Sequence, residues 1–168
     1  MPAALCSNPG GFRCGEHMKS LLIVYHSQSG SCARLAGAAA EGARSEPGVE
    51  VLLKRAWDAG VADLFGVDGL MLVAAENSGS LSGGMKDFLD RTFYPAIDRA
   101  LVLPYALLLS AGNDGRNAAR QAGRILSGYP FPAAAETVIL RGEVDAGQLR
   151  SAQELGMAFA AGIAMGIF

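Results

Sequence analysis

From Lys19 onward, short continuous apolar runs alternate with longer stretches of helical period. Leu21-Leu22-Ile23-Val24-Tyr25 is the first run, the pattern of a strand buried on both faces. A polar loop leads into residues 33–44, where Leu35, Ala36, Ala39, Ala40 and Ala43 recur at helical spacing. Pro47-Gly48 breaks the chain before a second strand at 49–54, and a short helix is expected over 61–65. Residues 69–75 read as a third strand. Gly83-Gly84 then open a helix whose Met85, Phe88, Leu89 and Phe93 share one face, with Asp87 and Arg91 as a supporting pair on the other. A fourth strand at 105–110, a loop at 111–115 and a helix to about residue 126 follow, ended by Gly128-Tyr129-Pro130. Residues 136–140 give a fifth strand, and Asp145 starts a last helix that runs almost to the C-terminus. This βα alternation predicts an α/β fold, a doubly wound five-stranded parallel sheet covered by helices on both faces. Periodicity alone leaves the strand order open.

Length and composition narrow the picture. A chain of 168 residues fits one domain, and 51% hydrophobic with 18% charged residues describes a core-rich globular chain. Residues 1–18 carry Pro2, Pro9, Gly10, Gly11 and Gly15 without any period, so a flexible leader is expected ahead of a domain at 19–168. A net charge of −2 gives no electrostatic footprint for nucleic acid. The near-apolar run 156–168 is too short for a bilayer, which needs about 20 residues. It reads as a buried terminal helix with room for contact to a second subunit. Cys6, Cys14 and Cys32 form neither C-x-x-C nor a zinc spacing, which favours a reduced, cytoplasmic setting.

The candidate chemistry sits in loops at the carboxyl ends of the predicted strands, where open α/β sheets bind ligands. Ser27-Gln28-Ser29-Gly30-Ser31-Cys32 leads directly from the first strand into a helix. Its small residues let backbone N–H groups turn inward, its hydroxyls donate, and the helix N-terminus favours an anion. The alternative is that the serines only cap the helix. The loop has no Lys or Arg and is neither a Walker loop nor G-x-G-x-x-G, which disfavours nucleoside triphosphates and Rossmann dinucleotides. A second loop, Glu76-Asn77-Ser78-Gly79-Ser80-Leu81-Ser82-Gly83-Gly84, is long for a βα connection and reads either as flexible donors and acceptors for a planar heterocycle or as a solvated linker. A third, Ser110-Ala111-Gly112-Asn113-Asp114-Gly115, is placed to close over the same ligand, with Asp114 also a candidate helix cap.

Two of these stretches carry a family resemblance. Tyr25-His26-Ser27-Gln28-Ser29-Gly30-Ser31 resembles the phosphate-loop signature of flavodoxin-like proteins, (S/T)-x-(S/T)-G-x-(S/T). The run from Gly79 to Arg91 resembles the loop-plus-helix signature of NADPH-dependent FMN reductases and related quinone reductases. The resemblance implies strand order 2-1-3-4-5 and FMN as cofactor. It places Ser27, Gln28, Ser29, Gly30, Ser31 and Cys32 at the phosphate, Glu76, Asn77, Ser78 and Gly79 along the flavin ring, and Ser110, Gly112, Asn113 and Gly115 at a third wall. The flavin would carry the chemistry, so no protein nucleophile is required. No metal site is expected.

The function implied is an NAD(P)H-dependent oxidoreductase passing hydride or electrons through FMN to a flavin, quinone or similar small acceptor, with a homo-oligomer as a possible assembly. The alternatives are a flavodoxin-like electron carrier without its own substrate, and a binding module that has kept the fold but holds FMN weakly or not at all. Cys32 stands where the family has Thr and is read as a small buried residue rather than a redox-active thiol. Glu76 is unusual beside a flavin and is read either as lowering the potential of the reduced ring or as pointing to solvent. Trp57 is read as packing on a helix, with a reach into the site as the alternative, and His26 as packing or bonding locally. Arg55, Arg116 and Arg120 are the candidates for a 2′-phosphate contact, the latter two more naturally solvated.

Overall fold

Four consecutive side chains, Leu21 to Val24, are fully buried in the computed structural model, which describes residues 18–168. They lie in β1 (Lys19–Tyr25), followed in chain order by α1 (Ser31–Ala43), β2 (Val49–Arg55), α2 (Val61–Leu64), β3 (Gly69–Asn77), β4 (Ser80–Leu81), α3 (Gly83–Asp98), β5 (Tyr105–Ala111), α4 (Arg116–Leu126), β6 (Val138–Arg141) and α5 (Ala146–Ala164). The parallel path is β2-β1-β3-β5-β6. The expected five-strand sheet in order 2-1-3-4-5 missed β4, which pairs antiparallel with the end of β3, so the sheet has six strands. With β4 counted, the fourth and fifth parallel strands are β5 and β6.

Period-two alternation divides the core between the two faces. Leu22 and Val24 of β1 join Leu70, Leu72 and Ala74 of β3 under α2, α3 and α4, where Phe88 and Met85 are fully buried. Leu21 and Ile23 join Met71 and Val73 under α1 and α5. The predicted apolar face of α3 is the buried one at Met85, Phe88 and Leu89. The Asp87–Arg91 pair is present at 2.7 Å, but Arg91 does more. Its guanidinium also donates to the carbonyls of Ala59 and Ala56, fastening α3 to the segment after β2.

The helices α1 and α5 touch backbone to backbone. A Cβ on Gly42 would lie 1.9 Å from the carbonyl oxygen of Gln153, and one on Gly156 would lie 2.0 Å from that of Ala39. The expected burial of 156–168 holds only in part. Phe159, Ala160 and Ile163 are buried, whereas Met157, Met165, Ile167 and Phe168 are exposed. Among the described residues no helix is long and apolar enough to cross a membrane. The sequence readings for Cys6, Cys14 and almost all of the leader lie outside the described residues.

Candidate functional site

The carboxyl ends of β1, β3, β5 and β6 surround a cavity of about 380 Å³. Its walls include Ser27, Gln28, Ser29, Ser31 and Cys32 from the first loop, Glu76 and Asn77 from the end of β3, and Ser110 and Gly112 from β5 and beyond. The three loops expected to converge therefore do so. Gly30, Ser78, Gly79, Asn113 and Gly115 are not in the walls. Gly142 and Glu143, which follow β6, complete the cavity and were missed by sequence reasoning. The available signal was Gly142 itself, a glycine directly after the last strand, where such sheets bind ligands.

Gly30 shapes the first loop rather than lining it. It is the N-cap of α1 at φ 94°, a left-handed conformation that glycine adopts without steric cost, and its N–H donates to Ser27 Oγ at 3.1 Å. The first turn of α1 holds no acidic residue and receives no side-chain cap. An α-helix leaves its first N–H groups without intrahelical acceptors, so this end offers donors and the positive end of a helix dipole. Ser29 Oγ donates to Ser31 Oγ at 3.3 Å beside it.

The second loop is not a flexible linker. Ser78 and Gly79 both have positive φ, 50° and 75°, the two-residue turn of a tight hairpin, and this is why β4 forms. The hairpin is fastened on both sides. Leu81 N donates to Gln121 Oε1 at 2.8 Å and Asn117 Nδ2 donates to the Gly79 carbonyl, both on α4. Asn77 Nδ2 donates to Gln28 Oε1 at 3.1 Å, joining hairpin to first loop. Glu76 lines the cavity and also reaches the neighbouring helix. Its carboxylate accepts from Gly115 N at 3.1 Å, at the N-terminus of α4. Asp114 does not cap that helix; its carboxylate accepts from Arg116 Nε and its carbonyl from Arg141 Nε. Arg120 pairs with Asn117. The cavity walls contain two carboxylates, Glu76 and Glu143, and no Lys or Arg.

Cys32 is buried, as read, and burial pushes its thiol from 9.0 up to about 12. A thiolate is the reactive form, so this thiol is inert in the folded chain despite its helix N-terminus. In a Cys6→Ser/Cys14→Ser background, iodoacetamide at neutral pH will leave Cys32 unlabelled until denaturant is added; rapid labelling of native protein would refute its burial. The same shift has a stability consequence. The unfolded chain loses the proton first, so the contribution is complete below about pH 9 and is lost as pH rises toward 12.

His26 is buried against α3, where a Cβ on Gly84 would lie 2.2 Å from its Cδ2. Burial lowers its pKa from 6.5, so the ring is neutral at pH 7. Trp57 is not in the walls of this cavity. It meets the His26 ring edge-on at 5.6 Å and is otherwise exposed.

This architecture has many solved counterparts. An archaeal flavodoxin superposes with a TM-score of 0.76 at 18% identity, over 86% of this chain and 98% of its own. The fold is flavodoxin-like. A WrbA-like flavodoxin from Agrobacterium tumefaciens matches this flavodoxin-like chain with a TM-score of 0.70 at 19% identity, covering 88% and 98% of the two chains. In sequence, a flavodoxin of Aquifex aeolicus is 38% identical over 73 residues, 44% of this chain and 40% of the relative. An NAD(P)H dehydrogenase (quinone) of Acidithiobacillus ferrooxidans is 33% identical over a 95-residue alignment covering 45% and 48%. The chain thus spans less than half the length of the curated relatives it matches. No family model matches it.

Proposed function

We propose that this flavodoxin-like chain binds FMN in the cavity and serves as a redox protein, transferring hydride or electrons from NAD(P)H to a small flavin- or quinone-like acceptor. The observation that carries the reading is the uncapped, acid-free N-terminus of α1 opening on that cavity with Ser27, Ser29 and Ser31 around it. This donor set suits a phosphate monoester, because every group it presents there can donate and none carries negative charge. The cavity volume also lies within the usual range for a cofactor site, about 300–1,000 Å³.

In this reading the first loop holds the phosphate through Ser27, Ser29, Ser31 and the N–H groups of residues 31 and 32. Cys32 contributes its backbone, since its thiol is buried. Asn77 and the strand-end backbone at Ser110 and Gly112 orient the planar ring, and Gly142 and Glu143 bound it on the far side. Glu76 keeps its carboxylate on the α4 terminus, away from the role of a general base. FMN, when bound, supplies a ring that accepts hydride or single electrons.

The second reading, an electron carrier without a substrate of its own, draws equal support from the flavodoxin relatives. Titrating the full chain with FMN and following flavin fluorescence tests both. Saturable quenching at micromolar FMN supports them, and no binding at millimolar FMN overturns them. NAD(P)H oxidation by the loaded protein, with a quinone acceptor, then distinguishes reductase from carrier.

A further inference from the structure

We infer that a second ligand site lies on the other side of the Ser27-Gln28 wall, between the ends of β1 and β2, and that it takes a planar aromatic ring bearing an anionic group. The inference is independent of the flavin reading, because the two cavities share only that wall. This one has a volume of about 310 Å³ and is bordered by Tyr25, His26, Ser27, Gln28, Arg55 and Trp57.

Three observations converge on it. His26 is only 6% exposed, and its Nδ1 has no hydrogen-bond partner among the described residues. Its ring abuts the backbone of Gly84 and has no room to swing in that direction. Leaving a buried polar nitrogen unpaired is costly, and a ligand atom in the cavity beside it would remove that cost. Trp57 is 61% exposed, with its ring edge-on to His26, which leaves indole surface free for stacking. Arg55 supplies the charge. Its Nε donates to the Tyr25 hydroxyl at 3.4 Å, which steadies the guanidinium, and the Asp58 carboxylate acts on it from the turn after β2. A ring against the indole, an anion on the guanidinium and one hydrogen bond to His26 Nδ1 answer all three features.

Trp57 is the only tryptophan in the chain, so intrinsic fluorescence reports directly from this site. The full-length chain is titrated with AMP and, separately, with nicotinate. Saturable quenching below about 1 mM by either supports the site; AMP alone assigns a phosphate-bearing ring and nicotinate alone a carboxylate-bearing one. Arg55→Gln is expected to weaken the effective probe by at least about tenfold, Asp58→Asn to strengthen it, and the uncharged adenosine or nicotinamide to bind at least about tenfold more weakly. His26→Phe is expected to weaken it while far-UV circular dichroism stays native. Equilibrium dialysis with saturating FMN is expected to leave uptake of the probe unchanged. Absence of quenching by both probes in natively folded protein, quenching indifferent to Arg55→Gln, or displacement of the probe by FMN would each overturn the proposal.

Discussion

Gly42→Ala, the smallest possible side-chain addition, is expected to destabilise the fold by about 2 kcal/mol or more, as overpacking against a fixed neighbour does. The added carbon would lie 1.9 Å from the Gln153 carbonyl oxygen, a backbone atom that cannot rotate away, so α1 and α5 must separate. For a chain of this size that corresponds to a fall in melting temperature of roughly 4–8 °C. The expected loss outweighs the better helix propensity of alanine, worth about 1 kcal/mol. Gly37 provides the control, since it lies in the same helix with nothing within 4 Å of its Cβ position. Gly37→Ala is expected to stabilise by about 0.5–1 kcal/mol. Adding Gly156→Ala to Gly42→Ala should cost less than the sum, because helices already separated at one contact are partly separated at the other. Thermal melts of the parent, the three single variants and the double check the sign at each position and the sum; equal effects of Gly37→Ala and Gly42→Ala would show that the helices do not meet as described.

Ser31→Glu is expected to move ligand affinity and stability in opposite directions. Ser31 is the first residue of α1, whose first turn carries no acidic side chain. A carboxylate there interacts favourably with the helix dipole and adds about 0.3–1 kcal/mol of stability. It also places negative charge where the cradle would receive a phosphate and removes one hydroxyl donor. FMN affinity is therefore expected to fall by about 100-fold, equivalent to roughly 2.7 kcal/mol. A chain that melts no lower than the parent yet binds FMN far more weakly would locate the phosphate at this helix end. Retained affinity would move it elsewhere and remove the basis of the proposed function.

The architecture was legible where burial dictates residue type. Leu21–Tyr25 and residues 69–75 are continuously apolar because central parallel strands are covered on both faces, and the helix faces followed from their period. Asp145 was read correctly as a cap, its carboxylate accepting from Gln148 N at 2.8 Å. What escaped was decided by contacts distant in sequence. β4 is two residues inside a Ser- and Gly-rich run, too short for any period to register. The bond from Gly115 N to Glu76 left no sequence signal, because the two residues lie 39 positions apart. Arg91 was visible as a helix-surface pair, but its bonds to Ala56 and Ala59 depend on how α3 docks. The candidate site was legible in its first loop, whose residue types declare donors, and much less so in the turn beyond β6.

The hairpin at Ser78-Gly79 has a kinetic consequence. It is tied to α4 through Asn117 and Gln121 and to the first loop through Asn77, so one rim of the cavity is set before anything arrives. A ligand meets that rim already formed, so closure of this hairpin is not expected to set a ceiling on its observed association rate.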